Sequence, residues 1–361
     1  MWGNNLMTVK EEVLIIGGGV AGLSAALGLS QLGIRSVLVE KNACLGGYAA
    51  QYACKATSAC VKCGACMVME KISRAAEDPN IDVLTGSRID DISRSEGFKT
   101  VITQETSDGR ARRQTRETAA VILACGFKPF DPENKPYGYK RFANVVTNLD
   151  LERMLRQDSV PLRPSDGTAP ARMAFIQCVG SRDAKLGHLW CSKVCCASAL
   201  RMARLIKKRR PATEMTFFYI DVQTFGQEFQ RFYEDVRKEI HMVRAIPGDV
   251  YRTSDDRLTV VYYDVNAEQS RDEPFDMLVL SIGITPAEDT RDLAAKVNLP
   301  TATSGFLPVA ANAGSPETPG VFAAGTVCGP MSIAESVAAG DRAAQAAAAY
   351  LQVNIRAEVH S

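Results

Sequence analysis

A glycine turn between a strand and a helix, close to the start of the chain, most constrains its fold. The apolar segment EEVLIIGGG runs into Gly17-x-Gly19-x-x-Gly22, and a helix-forming stretch follows. The first glycine permits a tight turn, the second lets the backbone approach a pyrophosphate, and the third lets helix and strand pack closely. Glu40 ends the next apolar strand, where its carboxylate can accept ribose hydroxyl hydrogen bonds. The sequence therefore predicts a dinucleotide-binding β-α-β unit over residues 12–41.

Three further segments favour FAD over NAD. Gly46-Gly47 resembles the second phosphate contact of FAD enzymes, and ETAAVILACGFKPF resembles their A-T-G strand, with Cys125 where Thr is usual. TPGVFAAGTVCGP resembles their last G-D element, with Thr326 where Asp is usual, and a Thr hydroxyl can still bond a ribityl hydroxyl. The final helix would direct its N-terminus at the flavin pyrimidine edge. We predict non-covalent FAD, contacted by Gly17, Gly18, Gly19, Ala21, Gly22, Glu40, Lys41, Gly46, Gly47, Ala124, Gly126, Gly325, Thr326, Ser332, Ile333 and Ala334.

A second signal is a cluster of four cysteines in the middle of the chain, with the spacing C-x12-C-x3-C-C. Four thiolates can hold a [4Fe–4S] cluster, which takes one sulfur per iron. Structural zinc sites usually pair their ligands as C-x2-4-C, which this pattern lacks. Buried apolar cysteines and a redox disulfide are rival explanations. We predict that the cluster is held by Cys178, Cys191, Cys195 and Cys196.

These cysteines lie where two-nucleotide flavoproteins bind NAD(P)H. Only Gly180 remains at the place of a second glycine fingerprint, so a nicotinamide site is not expected there. The predicted fold is an α/β flavoprotein of the thioredoxin-reductase-like type, with two dinucleotide-binding domains. Residues 1–127 and 284–361 form its FAD domain, and residues 128–283 form an inserted α/β domain that carries the iron–sulfur site.

A second group of cysteines occupies the segment YACKATSACVKCGACMVMEK. Its C-x2-C-x2-C resembles the opening of a bacterial ferredoxin run, without the C-x3-C-P that follows in ferredoxins. Three interpretations stay open, namely a second cluster, solvent-side thiols, and a site completed by a partner protein. The cysteines concerned are Cys54, Cys60, Cys63 and Cys66, with Cys44 as a further candidate.

Composition excludes several classes of protein. Apolar residues make up 46% of the 361, which favours a packed globular protein, and a net charge of +1 gives no reason to expect nucleic-acid binding. No apolar run approaches the roughly 20 residues that span a bilayer, so no membrane span is expected. Eleven cysteines without an export signal indicate metal ligands or redox thiols in a reducing cytoplasm. Aromatic residues in TFFYIDVQTFGQEFQRFY favour a homodimer.

Several of these segments together resemble a known family. FIQCVGSRD, the four-cysteine spacing and FFYIDVQTFGQEFQRFY are similar to the A subunit of heterodisulfide reductase. They are also similar to its homologues in the sulfur-oxidising heterodisulfide-reductase-like complex and in the quinone-interacting complex of sulfate reducers. The resemblance implies a FAD and iron–sulfur electron-transfer protein that works with B- and C-type subunits. A sulfur-oxidising role would add a lipoate-binding protein as a partner.

The resemblance also implies a catalytic role for Arg201. Family members tend to have Lys at this place, near the flavin, and Arg keeps the charge but does not give up its proton. Whether the chain bifurcates electrons, as some family members do, is therefore left open. The rival hypotheses are an NAD(P)H-dependent disulfide oxidoreductase, which needs a second nucleotide fingerprint, and an electron-carrying scaffold that turns over only with its partners.

Overall fold

The computed structural model describes residues 12–105, 109–223, 228–314 and 318–359, without the side chains of residues 312–313 and 353–359. The chain divides into two compact units. The first comprises residues 1–50, 64–128 and 286–361, and the second comprises residues 51–63 and 129–285. The division differs from the predicted one mainly in the segment 51–63, which groups with the second unit although the sequence assigned it to the FAD domain.

The strands and helices of the described residues follow one another in an alternating α/β order. They are β1 (Val13–Ile16), α1 (Val20–Gln31), β2 (Ser36–Val39), α2 (Ala65–Glu77), β3 (Ile81–Leu84), β4 (Ser87–Arg94), β5 (Phe98–Glu105), β6 (Ala111–Thr118), β7 (Ala120–Leu123), β8 (Phe127–Pro129), β9 (Val145–Thr147), α3 (Asn148–Gln157), β10 (Arg172–Val179), α4 (Cys195–Arg209), β11 (Glu214–Phe218), α5 (Phe229–Val236), β12 (His241–Val243), β13 (Asp249–Arg252), β14 (Leu258–Asp264), β15 (Gln269–Phe275), β16 (Met277–Ile282), β17 (Ile284–Pro286), α6 (Thr290–Lys296), β18 (Val321–Ala323) and α7 (Ile333–Val359).

The first unit is built on a five-stranded parallel sheet with the order β18-β7-β1-β2-β3. Every residue of β1, β2 and β7 is buried, as is usual for parallel strands covered on both faces. Helices α1 and α7 pack closely on each other, because a Cβ at Gly340 would lie only 2.3 Å from the carbonyl oxygen of Ala21. An antiparallel sheet of β4, β5 and β6 completes the unit. Small residues at this helix contact thus fix α1 and the turn before it.

The second unit has its own five-stranded parallel sheet with the order β12-β11-β10-β16-β9, and an antiparallel sheet of β13, β14 and β15. Phe175 of β10 stacks on Phe217 of β11, with ring centroids 4.5 Å apart, in the core beneath α4. Strand β10 is irregular near its end, where the register with β16 shifts between Ile176 and Val179. Cys178 lies within this bulge and has a φ of +60°.

Two predicted helices of the second unit start later than expected. The helix predicted from Ser192 begins at Cys195. The amphipathic helix predicted over FGQEFQRFYEDVRKE is α5, Phe229–Val236, and part of its segment, residues 224–227, lies outside the described residues. No helix in the described part of the chain is long and apolar enough to cross a membrane.

Candidate cofactor sites

The glycine turn after β1 is closed so tightly that side chains cannot replace two of its glycines. A Cβ at Gly17, where φ is +112°, would lie 2.3 Å from the carbonyl oxygen of Ala124, and one at Gly22 would lie 1.9 Å from that of Gly17. A Cβ at Gly19 would meet no protein atom within 4 Å. The turn is therefore packed against the protein at its ends and open at Gly19, where α1 presents its first amide groups.

Glu40 supports this turn from the end of β2. Its carboxylate is 5% exposed and accepts hydrogen bonds from the amides of Gly18 and Asn42, each 2.8 Å long. A predicted cofactor contact, Lys41, instead forms an ion pair with Asp289 at 2.8 Å. Glu40 thus holds the turn in shape, while Lys41 is occupied by a carboxylate of its own unit.

The second glycine pair lies beside the first turn. The amide of Gly46 donates to the carbonyl oxygen of Gly18 at 2.7 Å. A Cβ at Gly47 would lie 3.5 Å from the Cα of Gly19. The two turns that the sequence assigned to phosphate binding are therefore neighbours.

The last elements of the chain return to the same place in the first unit. Gly325, with a φ of +78°, lies against Ala21 of α1, where a Cβ would come within 2.5 Å of the Ala21 side chain. The Thr326 hydroxyl oxygen would be 3.9 Å from a Cβ at Gly126, the residue that follows β7 by three positions. The structure thus gathers the predicted FAD contacts from both ends of the sequence around one sheet edge.

A capping box forms the N-terminus of α7. The hydroxyl oxygen of Ser332 accepts the amide of Glu335 at 3.2 Å, and the Glu335 carboxylate accepts the amide of Ser332 at 2.8 Å. Because this box uses the Ser332 side chain, the helix amides left for a ligand are those of Ile333 and Ala334.

Two buried cysteines of the first unit escaped the sequence analysis as a pair. Burial raises the pKa of both Cys125 and Cys328 to about 12, and each contributes to the same apolar cluster. The Cys125 sulfur lies 3.7 Å from the hydroxyl of Thr290. At neutral pH both are uncharged thiols that fill space.

The four central cysteines meet at the carboxyl end of the second unit's sheet. Cys178 ends β10, Cys195 and Cys196 open α4, and Cys191 precedes that helix by one turn. Cys195 and Cys196 are buried and the other two are half-buried. Burial, followed by the neighbouring Cys196 thiol, raises the pKa of Cys178 to about 12. The sequence prediction that these four residues belong together is consistent with this placement.

Hydrogen bonds to sulfur already exist at this edge. The amide of Lys193 donates to the Cys191 sulfur at 3.3 Å. The Cys195 thiol donates to the Cys196 sulfur, which raises the pKa of Cys195 well above its usual value and lowers that of Cys196 to about 7. Arg182 lies beside the cysteines and pairs with Asp221 at 2.6 Å. The site therefore offers both donors and positive charge to anionic sulfur.

The loop between Cys178 and Cys191 is tied down on several sides. Asp183 forms an ion pair with Lys135, and the Trp190 indole donates to the carbonyl oxygen of Ile284 at 2.9 Å. The amide of Ile284 donates in turn to the hydroxyl of Ser192, which is fully buried. His188 lies 2.8 Å from the carbonyl oxygen of Gly180 through Nδ1, which favours a structural role for this histidine.

The donor set suits an iron–sulfur cluster, but it is not arranged as a ready metal site. Among the described residues, no group of three or more His, Cys, Asp or Glu side chains could hold a metal ion as it stands. Four thiols at one sheet edge, with amide and guanidinium groups beside them, match the ligand count and charge of a [4Fe–4S] cluster. Loading would replace the Cys195–Cys196 hydrogen bond by metal–thiolate bonds.

The second cysteine group divides between the two units. Cys66 is an exposed residue of α2 in the first unit, while Cys54, Cys60 and Cys63 lie in the segment 51–63 of the second. Within the second unit, a fully buried ion pair anchors this segment. Lys55, 3% exposed, contacts Glu152, 2% exposed, at 2.7 Å.

The Glu152 carboxylate also accepts the amide of Ala53 at 3.0 Å and the hydroxyl of Ser198 at 3.3 Å. Lys55 donates to the carbonyl oxygen of Ala53 at 3.1 Å. These bonds join the segment to α3, which carries Glu152, and to α4, which carries Ser198. Sequence analysis missed this anchor, although a glutamate on the apolar face of NLDLERMLRQ was a visible signal.

Arg201 lies on α4 beside the same segment. Its Nε donates to the carbonyl oxygen of Val61 at 3.2 Å, and its guanidinium lies over the rings of Phe229 and Phe232. Burial lowers the pKa of Arg201, and the nearby thiols of Cys63 and Cys60 partly oppose that effect. The residue predicted to be catalytic thus faces the C-x2-C motif within the second unit.

The sequence and fold both have relatives among known proteins. The family model described as pyridine nucleotide-disulphide oxidoreductase matches residues 11–176. The A subunit of the H2:CoB-CoM heterodisulfide, ferredoxin reductase from Methanothermobacter marburgensis is 30% identical over 95% of this chain. The iron–sulfur A subunit 2 of the CoB–CoM heterodisulfide reductase from Methanopyrus kandleri is 28% identical over 96% of it. The chain belongs to the A-subunit family of heterodisulfide reductase. It spans 64% and 66% of the length of these two relatives.

Solved structures confirm the predicted fold of this family member. Thioredoxin reductase from T. acidophilum covers 95% of the chain, and 99% of that protein is covered, with a TM-score of 0.61 and 16% identity. Thioredoxin reductase from Lactococcus lactis covers 94% of the chain with a TM-score of 0.62 and 17% identity, and 99% of it is covered. The α/β flavoprotein fold with two dinucleotide-binding units is thus confirmed, and the family is one of oxidoreductases.

Proposed function

We propose that this protein is an FAD- and [4Fe–4S]-containing electron-transfer subunit of a heterodisulfide-reductase-like complex. The observation that carries the proposal is the replacement of a glycine fingerprint by four cysteines at the first strand-to-helix connection of the second unit. The relative from Methanopyrus kandleri carries "iron-sulfur subunit" in its name, which supports the metal assignment.

In the first unit, each predicted contact has a stated task toward FAD. The amides at the start of α1 bind the pyrophosphate at the open position beside Gly19. Glu40 accepts ribose hydroxyls with the lone pairs that remain beside its hydrogen bonds to Gly18 and Asn42. Thr326 bonds a ribityl hydroxyl, and the amides of Ile333 and Ala334 stabilise negative charge on the flavin pyrimidine edge.

In the second unit, Cys178, Cys191, Cys195 and Cys196 supply one thiolate to each iron. The flavin exchanges electrons in pairs and the cluster exchanges them one at a time. The amide of Lys193 and the Arg182 guanidinium stabilise the negative charge of the site. The segment 51–63 supports the proposal of a second sulfur site at Cys60 and Cys63, where Arg201 provides positive charge.

The family relation and the cysteine content together support a cytoplasmic protein that works with B- and C-type subunits. We further propose a homodimer and a role in sulfur oxidation, with a lipoate-binding protein as the partner that delivers sulfur. A quinone-linked complex of the sulfate-reducer type is the alternative. The rival NAD(P)H-dependent disulfide oxidoreductase is disfavoured, since the connection after β10 carries cysteines where that enzyme class needs its second glycine turn.

The proposal is tested by Cys191→Ala in protein purified without oxygen. The variant should lose about four irons per chain and the reduced-state EPR signal, because a cluster with one ligand missing becomes labile. FAD should remain, since its predicted contacts lie in the first unit. Iron, sulfide and flavin are measured on the same sample.

Cys63→Ala is the matched control for this experiment. It should leave the EPR signal of the four-cysteine site unchanged. If Cys191→Ala keeps its iron while Cys63→Ala loses it, the cysteines are wrongly assigned. Wild-type protein without flavin would refute the proposal altogether.

A further inference from the structure

Three buried polar side chains lack a hydrogen-bond partner at the carboxyl edge of the second unit's parallel sheet. Gln177, 7% exposed, has no partner for either its amide nitrogen or its amide oxygen, and the hydroxyls of Ser181 and Ser281, 2% and 0% exposed, are likewise unpartnered. Leaving such groups buried and unsatisfied costs about 1–3 kcal/mol each. Their concentration at one edge indicates that a ligand meets them there.

The strand register places Gln177 and Ser281 next to each other. Ile176 pairs with Leu280 and Val179 with Ile282, so the bulge residues Gln177 and Cys178 lie together opposite Ser281. A bulge of this kind changes the direction of a side chain, and here it carries Cys178 with its positive φ of 60°. The two unpartnered side chains are therefore register neighbours of the first predicted cluster ligand.

Strand alternation also places both residues on the face covered by α4. Phe175 and Val279 belong to the apolar cluster that includes Ala199, Leu200 and Ala203 of that helix. Gln177 and Ser281 each follow one of these core residues by two positions, and side chains two apart share a face. Both apolar rows thus end in a polar residue beneath the helix that Cys195 and Cys196 open.

We infer that Gln177 and Ser281 donate hydrogen bonds to the sulfur atoms of the cluster held by Cys178, Cys191, Cys195 and Cys196. This inference rests on the proposed iron–sulfur function and deepens it. Donors to sulfur stabilise the extra negative charge of the reduced cluster and so raise its reduction potential. An amide and a hydroxyl on the dry side of the site complement the Lys193 amide, which already donates to Cys191.

The experiment is an EPR-monitored redox titration of Ser281→Ala and Gln177→Met in the full chain. Each variant should lower the midpoint potential, by as much as a tenfold change in the one-electron equilibrium, which is about 59 mV. Ser281→Thr, which keeps the hydroxyl, should titrate close to wild type. Ser36→Ala is the control, because Ser36 is equally buried and unpartnered but lies in the first unit.

Unchanged potentials in both variants would overturn the inference, because they would mean that water or nothing satisfies these groups. A second measurement covers variants that lose iron. In the chelator-treated, iron-free chain, both substitutions should leave the unfolding temperature unchanged or raise it, since an unsatisfied buried group is removed. A lower unfolding temperature would show a protein partner and contradict the inference. Wild-type protein without a cluster would instead refute the proposed function.

Discussion

The first strand-to-helix connection differs sharply between the two units, although both lie at the carboxyl end of a parallel strand. In the first unit, Gly17–Gly19 join β1 to α1 directly. In the second, residues 180–194 separate β10 from α4, and cysteines stand at both ends of the loop. In open α/β sheets ligands bind outside the carboxyl ends of the strands. The position in the fold thus sets where something binds, and the residue types there decide what binds.

The acidic residues after the second strand of each sheet follow the same contrast. Glu40 is buried and bonds the Gly18 amide of the glycine turn. Asp221, which follows β11, bonds Arg182 and the side chain of Gln223 instead. One acid therefore shapes a nucleotide turn, and the other orients a cation beside thiols.

The largest expected effect comes from Gly22→Ala, which tests the packed end of the glycine turn. The new Cβ would lie 1.9 Å from the carbonyl oxygen of Gly17, so the turn cannot keep its shape. We expect flavin to be lost and the first unit to be destabilised by more than about 3 kcal/mol. Flavin content and urea unfolding measure the two effects.

Gly19→Ala separates ligand approach from folding. Because its Cβ would meet no protein atom within 4 Å, the variant should fold normally. It should still bind FAD more than about tenfold more weakly, a loss of about 1.4 kcal/mol, since the pyrophosphate approaches there. Equal flavin affinity in Gly19→Ala and wild type would show that the turn does not hold a phosphate.

The next effect concerns the anchor of the second unit. Lys55→Met leaves the Glu152 carboxylate buried without its cation, so we expect a loss of about 3–5 kcal/mol in the free energy of unfolding. Thiol labelling of Cys54 and Cys60 with a maleimide should become faster as the segment loosens. The double variant Lys55→Met/Glu152→Leu should recover part of the loss, and a further loss on adding Glu152→Leu would contradict the ion-pair explanation.

The sequence predicted some parts of this molecule better than others, for physical reasons. The β-α-β unit was readable because Gly17 and Gly22 occupy positions where only glycine is sterically allowed. The fold class followed from it and is confirmed, while the residue assignments at both cofactor sites stay predictions. The spacing of the four central cysteines identified their common sheet edge.

Long-range pairing was not readable in the same way. No local pattern connects Lys55 to Glu152, or places Gln177 opposite Ser281, because strand register and helix docking decide both contacts. The segment 51–63 was consequently assigned to the FAD domain, although the buried ion pair and the Arg201–Val61 hydrogen bond join it to helices of the second unit.

The smallest expected effect tests the loop that replaces the glycine turn in the second unit. Lys135 pairs with Asp183, which lowers the pKa of that carboxyl, and the amides of Lys185 and Leu186 also bond it. A lowered pKa means that the ion pair stabilises the fold at every pH above about 4, the unfolded value, and that this stability is lost as the pH falls further. Asp183→Asn keeps an oxygen for both amides and removes only the charge.

At neutral pH, Asp183→Asn should cost less than about 1 kcal/mol, because the pair is partly exposed to solvent. The difference from wild type should shrink as the pH is lowered below about 4. Since the loop leads from Cys178 to Cys191, the variant should also release iron to a chelator faster at neutral pH. Asp264→Asn is the matched control, because Asp264 bonds two turn amides and Arg271 in the β14–β15 hairpin. Equal iron release by both variants would mean that the ion pair stabilises the unit without holding the cysteine loop, and the contrast between the two connections would then rest on the cysteines alone.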